Sequence, residues 1–494
     1  MRLFAVLLIG APLAAQDPSP YVPLAHWATP YVEHWIARGV MVDPTPLRRP
    51  FHADDLVRAL ESADTLPLST GERRRRRAIL GDLARRERGP WGRLDLHAGV
   101  AAASHARRDP LRAAGTGHAT AAGGLALTLQ FGGVVLATHP EFDSRLKYDP
   151  DYAGKKDRTI AGRNAAAYVS AQWRYGELFI GSLDRNWGPS ALEGLLVSPG
   201  PYSYDHLGLA IGTASIRLEA LLTQLDDLPD TAGASNHRWW VAHRLVVRPP
   251  GRTTFSLWEG TLVAGRDRAL EPWFANVVNL GLLAQYDQGS SANSLIGADV
   301  ELWIHRIRAF AQLLLDDVQI DRAAASDREP ASYGFTVGAQ GGIGPAAWTA
   351  YYSRVTNLAY RAPSLPETVM RRGVGLGRNF SDYDQLTLRA SAVLGPGVLL
   401  TPEATLLRQG QGDFRLPYPA VAAYDSTPVF LAGVVERTVR LALWAQWHGG
   451  GWSIVADGGA HLIRNAGHVA GRSDTRWVGS VGVTRRMHWE SVLP

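Results

Sequence analysis

The residues best equipped for chemistry form one run, Leu183-Asp184-Arg185-Asn186-Trp187-Gly188-Pro189, continuing through Gly194-Leu195-Leu196-Val197-Ser198 to Pro201. Arg185 can hold carboxylates or carbonyls in a rigid fork. Trp187 offers a flat apolar face to sugar C–H groups or to a packed lid. Gly188-Pro189 sets a turn that folds the loop inward. Two readings stand side by side: the motif touches glycan directly, or it locks its loop into place. A second run, Gln312-Leu313-Leu314-Leu315-Asp316-Asp317, ends on paired acids. Asp316 and Asp317 with Asp321, or Asp226 and Asp227 with Asp230, could hold Ca²⁺, although solvated loop acids give the same pattern. Lys155-Lys156-Arg158 and Arg371-Arg372-Arg378 either attract an acidic polymer or simply face water. Among 15 histidines none has metal-ligand spacing: His26 and His34 are eight apart, and His237 and His243 share one strand. No Gly-x-Ser-x-Gly, phosphate loop or Ser/His/Asp order is present. The expectation is a protein without catalytic residues, cofactor or metal.

The elements that must position these groups are short and numerous. A chain of 494 residues exceeds one ordinary soluble core. Hydrophobic content of 46% with a mean hydropathy of -0.10 means that apolar residues are interleaved with polar ones. From Arg93 onward the pattern repeats every two residues, as in Leu94, Leu96, Ala98 and Val100, and it recurs to Trp477–Val483. Inward positions carry Arg174, Glu177, Glu219, Arg244, Glu301 and Arg389. Tight connections (Gly132-Gly133, Tyr175-Gly176, Ala214-Ser215, Arg248–Arg252, His305-Arg306, Ile343–Pro345, Gly395–Gly397, Gly449–Gly451) alternate with long polar loops. Ala275–Tyr286 is apolar enough for a strand, but counting it breaks the alternation, so 265–293 is assigned to an outer loop with a helix. The expected fold is all-β: a closed antiparallel transmembrane barrel of about 18 strands, within 16 to 20, over 93–489. Trp239, Trp240, Trp444, Trp447, Trp452, Trp477 and Trp489 are read as interface girdle residues. Barrels commonly finish on an aromatic residue, whereas this chain passes Trp489 into a tail at 490–494.

Residues 16–92 differ. Trp27, Tyr31, Val32, Trp35 and Ile36 have helical spacing, Leu56, Val57 and Leu60 repeat it, and Ser69 caps a third helix to about Glu87 with the Arg73–Arg77 run on its outer face. This small helical module is placed in the periplasm. Ahead of it, Arg2, the apolar Leu3–Leu13 and Ala14-Ala15-Gln16 read as a signal peptide over 1–15. Zero cysteine excludes disulfides and a lipoprotein anchor. A net charge of +5 directs a secreted chain toward anionic glycan and lipid rather than nucleic acid.

The order Arg185-Asn186-Trp187-Gly188-Pro189, a Leu-Ser-rich loop, and a strand ending Leu315-Asp316-Asp317 resembles the Wzi family of capsule-assembly barrels over most of 93–489. That resemblance implies 18 strands, a helical periplasmic section and a role in holding capsular polysaccharide at the surface. His26-Trp27-Ala28, Tyr31-Val32, Trp35-Ile36, Arg38-Gly39 and Arg49-Pro50-Phe51 through Leu60 resemble a single S-layer homology repeat. It departs from that family's basic motif at Ala53-Asp54-Asp55, so it is either a peptidoglycan tether or a plug. Together these features predict a non-enzymatic, monomeric outer-membrane barrel. Its partners are anionic capsular or extracellular polysaccharide, outer-membrane lipid and, as a tether, peptidoglycan. The candidate polysaccharide-binding residues are Asp184, Arg185, Trp187, Gly188, Pro189, Asp316 and Asp317. A general porin or solute channel tethered through the N-terminal module is the competing class.

Overall fold

The computed structural model describes residues 18–85, 89–159, 161–200, 202–289, 292–318 and 322–493. The expected signal peptide at 1–15 and Asp321 lie outside them. Setting aside the two-residue ladder Leu228–Pro229, 18 antiparallel strands close into one barrel. The first six are β1 (Trp91–Ala103), β2 (His118–Phe131), β3 (Val134–Asp143), β4 (Ala161–Trp173), β5 (Gly176–Leu183) and β6 (Asp205–Gly212). Then come β7 (Ile216–Gln224), β8 (Ser235–Val247), β9 (Thr253–Gly265), β10 (Asn293–Ile304), β11 (Ile307–Asp317) and β12 (Ser332–Ile343). The wall ends with β13 (Ala346–Val355), β14 (Tyr383–Leu394), β15 (Val398–Gln409), β16 (Glu436–Gly449), β17 (Trp452–Arg464) and β18 (Ser473–Val492). Each neighbour in chain order pairs with the next, and β18 returns to β1 with Ser480 opposite Ala103 and Val492 opposite Trp91. Glu490, Ser491 and Val492 are therefore ladder residues, not the tail expected after Trp489.

Side-chain alternation explains why the sheet closes where it does. Glu177, Glu219, Arg244 and Glu301 point into the lumen and are buried. The opposite face is apolar and exposed, with Leu178 and Ile180 on β5, Leu207 and Ile211 on β6, and Leu441 and Leu443 on β16. Such a belt is a hazard in water and the lipid-facing surface in a bilayer. No helix among the described residues is long and apolar enough to cross a membrane, so strands are the spanning elements. All eight tight connections fall where the sequence places them, and the segment between β9 and β10 holds α4 (Pro272–Ala275) and α5 (Gly281–Gln288) instead of a strand. Three expectations about facing are corrected. Arg174 sits exposed in the β4–β5 turn, while Trp240 is fully buried in the lumen and Trp444 packs against the lumenal core. Trp452, Trp477 and Trp489 do face outward.

The N-terminal module fills the short-turn end of the barrel. It contains α1 (Thr29–Ala37), α2 (Ala53–Glu61) and α3 (Thr70–Leu83), the last started by a Ser69/Glu72 capping box. Helix α3 ends before the expected Glu87. Trp27, Tyr31, Val32, Trp35 and Ile36 form a core that continues into the wall through Val393 and Leu399. Polar contacts run round the circumference. Ser19 bonds Gln172 on β4 (2.8 Å), Tyr21 bonds Glu177 on β5 (2.6 Å), and Arg48 pairs with Glu219 on β7 (2.8 Å). Arg244 on β8 donates to the Leu47 carbonyl (3.0 Å), and Arg308 on β11 pairs with Asp43 (2.8 Å). His34 meets Ser391 on β14 (2.7 Å), Gln446 on β16 donates to the Trp27 carbonyl (2.6 Å), and Arg486 on β18 meets His26 (3.0 Å). Arg75, expected on a solvent face, instead donates to the Gly397 (3.0 Å) and Pro396 (2.8 Å) carbonyls in the β14–β15 turn.

Candidate binding chamber

The Asp184–Pro189 run leaves β5 and turns into the lumen. Asn186 and Trp187 pair as a short ladder with Arg48 and Arg49 of the N-terminal module. The Trp187 ring is 4% exposed, beneath the Arg244 guanidinium at 5.7 Å. Gly188 donates to the Leu47 carbonyl (2.9 Å), and Gln312 on β11 donates to the Trp187 carbonyl (3.0 Å) while accepting from Leu195 (2.9 Å). Gly188 takes φ +144, and a Cβ there would lie 2.9 Å from the Gln312 amide. Arg185 donates to His206 (2.7 Å) and lies over the Phe179 ring at 4.4 Å. Asp184 has a buried oxygen without a partner among the described residues, and burial raises its carboxyl above the usual range against the pull of Arg108 and Arg163. In this arrangement Trp187, Gly188 and Pro189 present no face to solvent. A sugar reaches them only if the loop moves.

The acid pairs are also engaged. Asp316 accepts from the Tyr360 amide (2.6 Å), joining β11 to the 356–382 loop, and Asp317 follows it at the strand end. Asp226 accepts from the Arg372 amide (2.7 Å), Asp227 pairs with His237 (3.0 Å), and Asp230 caps the amides of Ala232 and Ala234. Among the described residues no group of three or more His, Cys, Asp or Glu could hold a metal ion. Lys155, Lys156, Arg158 and Arg372 are exposed, Arg371 is half-buried, and Arg378 is buried and bonded to Thr336 (3.1 Å).

The anchored loop roofs a lumenal chamber of about 690 Å³. Its floor is α1, its roof is Ser190–Glu193 with Arg108–Arg112 and Arg378–Phe380, and its wall is β12–β17. The wall carries an ion-pair chain in which Arg389 pairs with Glu403 (2.7 Å), and Arg440 pairs with Glu403 (2.5 Å) and Asp457 (2.8 Å). Arg389 also donates to the Ala191 carbonyl of the roof (3.0 Å). Glu193 hangs from the roof, its carboxyl raised by burial and opposed mainly by Arg378. Tyr351, Phe380, Tyr383 and Trp444 supply aromatic surface. Planar ion pairs beside aromatic faces suit a ligand with hydroxyls, C–H faces and carboxylates. Arg112 lies 4.4 Å over Phe380 and 4.5 Å over Tyr383, and this stack divides the chamber from a second cavity of about 460 Å³ toward the long-loop end.

No family model matches the sequence, and no curated protein does. Among solved structures the chain is similar to Wzi of Escherichia coli, described as an outer-membrane protein involved in group 1 capsule assembly and a carbohydrate-binding β-barrel. The TM-score is 0.60 at 13% identity, over 94% of this chain and 97% of that one. OpdK of Pseudomonas aeruginosa gives a TM-score of 0.47 at 13% identity, over 81% and 99% of the two chains. OccAB4 of Acinetobacter baumannii gives 0.45 at 8%, over 82% and 99%. This chain has the fold of an outer-membrane barrel.

The motif was legible as unusual, but its partners were not. Leu47, Arg48 and Arg49 lie about 140 residues upstream, and nothing local in the sequence couples them to Trp187. Of the chamber's lining, His34, Arg378, Arg389 and Trp444 stand out in the sequence, but nothing there brings them together. Its roof and wall come from loops and strands scattered over 108–457, and only the inward period-two positions hinted at Glu403, Arg440 and Asp457.

Proposed function

We propose that this protein is a plugged, non-enzymatic outer-membrane barrel that helps assemble or attach an anionic capsular or extracellular polysaccharide, with its N-terminal module on the periplasmic side. The observation that carries this reading is the chamber: a lumenal space closed below by α1 and lined by ion-paired arginines and aromatic rings. A stoppered lumen suits holding a chain end better than passing solute. The Asp184–Pro189 run then acts by position, fixing the loop so that Ser190–Glu193 roof the chamber, while Asp316 holds the facing loop through the Tyr360 amide and Asp317 ends the strand beside it. The likeness to a carbohydrate-binding barrel supports the same reading. Cells expressing Phe380→Ala with Arg389→Gln should keep a normally folded, heat-modifiable barrel and release polymer into the medium. Full polymer retention by that double variant would remove the chamber from the reading.

A solute channel remains the second reading, because the two cavities lie in line with only the Arg112–Phe380–Tyr383 stack between them. Rapid sugar flux through reconstituted full-length protein in liposomes would favour it.

A further inference from the structure

The outward face of the wall carries a charged row that the lumenal function does not use. Strand pairing places Arg354 on β13 opposite Asp384 on β14, Asp384 opposite Arg408 on β15, Arg408 opposite Arg437 on β16, and Arg437 opposite Arg464 on β17. Directly paired residues share a face, and Arg408, Arg437 and Arg464 are exposed on the outer one. Asp384 is taken by Arg408 (2.9 Å) and the Tyr352 hydroxyl (2.8 Å). Arg354 lies 4.2 Å over the Phe430 ring and bonds the Tyr352 hydroxyl (3.2 Å), with Tyr333 as a further neutral phenol partner and no carboxylate among the described residues. The guanidinium groups of Arg437 and Arg464 have no ion pair or hydrogen bond among the described residues. Three arginines on adjacent strands thus stand in one row with a single carboxylate between them and Arg354.

Like charges set directly across a ladder are destabilising, so the row calls for an anion from outside the chain. Its height identifies which one. The next outward row toward the turns reads Tyr352, Leu386, Leu406, Val439 and Leu462, and the row after it Ala350, Leu388, Ala404, Leu441 and Ala460. The arginines cap the apolar belt at its long-loop edge. An arginine on the lipid face costs roughly 2–4 kcal/mol at the bilayer midplane but only about 0–1 near the interface, so this boundary is where such a row is tolerated. The row spans four strand steps, or about 19 Å.

We infer that the outward row Arg354–Arg408–Arg437–Arg464 is a binding site for the phosphorylated headgroup of an outer-leaflet glycolipid. Guanidinium forks bind phosphate oxygens in pairs, the acyl chains lie on the leucine rows beneath, and the Arg354–Phe430 stack closes one side of the patch. The probes are a bis-phosphorylated glucosamine-disaccharide lipid, the same lipid without phosphates, inorganic phosphate, and a soluble anionic polysaccharide, each added to full-length protein in non-ionic detergent and read by native mass spectrometry. Loss of charge-assisted bonds predicts that Arg437→Gln/Arg464→Gln binds the phosphorylated lipid at least about tenfold more weakly than the unaltered protein, with unchanged heat-modifiable migration. Removing the phosphates from the lipid should abolish that difference. Equal binding by the variant, equal binding of both lipids by the unaltered protein, displacement of the lipid by millimolar inorganic phosphate, or a variant that loses only the polysaccharide would each overturn the assignment.

Discussion

At the residue scale, the Asp184–Pro189 run is a joint. Trp187 joins two partners distant in sequence, the N-terminal module and β11, and Gly188 adds a second bond to the module through the Leu47 carbonyl. Gly188 is the cleanest place to test this, because its φ of +144 disfavours any side chain and its nearest obstacle is Gln312. Gly188→Ala should cost on the order of 1–3 kcal/mol from backbone strain alone, with a further loss as Gln312 gives up Trp187 and Leu195. The expected result is a lower urea midpoint and faster proteolysis within 184–204. An unchanged midpoint would mean that the joint is slack. The motif's composition revealed a rigid, arginine- and tryptophan-bearing turn. Whether its ring meets sugar or protein depended on Leu47–Arg49 arriving from the other end of the chain, which no local pattern encodes.

At the element scale, strand number, turn position and the helical detour at 266–292 were all readable, because lipid outside and polar lumen inside enforce a period of two over every strand. The same period does not say which face a tryptophan takes. Trp240 and Trp444 look like girdle residues by type, yet their phase puts them in the lumen. Nor does helical spacing show that the module's core continues into the wall, and this has a pH consequence. His26 faces Asp82, Arg486 and Arg93, and His34 faces Glu72, Arg38 and Ser391. Burial is the largest influence on both and holds their protonation below the ordinary histidine value of 6.5. A histidine with a depressed folded value binds fewer protons than it does unfolded. Docking is therefore at full strength above about pH 6.5 and weakens as pH falls below it. Glu72 and Asp82, held low by their partners, add acid sensitivity as pH falls through their ordinary carboxylate values of 4.5 and 3.8. Near-ultraviolet dichroism of the module's tryptophans should relax between pH 6.5 and 5 while the barrel signal stays constant. His26→Gln with His34→Gln should flatten that slope. A slope that survives the double substitution would assign the acid response to other groups.

At the scale of the whole molecule, the wall's backbone closes on itself without help from its stopper. The barrel has no free edge, since β18 closes on β1 through thirteen paired positions from Ser480–Ala103 to Val492–Trp91. Removing the module therefore leaves every ladder bond of the wall in place and breaks only the short one between Arg48–Arg49 and Asn186–Trp187. It does expose inward polar groups that the module now answers: the charges of Glu219 and Arg308 lose Arg48 and Asp43, and the Gln446 amide loses the Trp27 carbonyl. Those groups would be rehydrated by water entering the short-turn end, because an unpaired buried charge costs several kcal/mol and a solvated one far less. Deleting residues 18–85 should therefore give a barrel that still shows heat-modifiable migration but conducts ions much better in planar bilayers. The chamber of the deletion variant lacks its α1 floor, so polymer retention should fall at the same time. Raised conductance with intact retention would separate the stopper from the binding site. Flat conductance would mean that the loops over the chamber, and not the module, set the resistance of the pore.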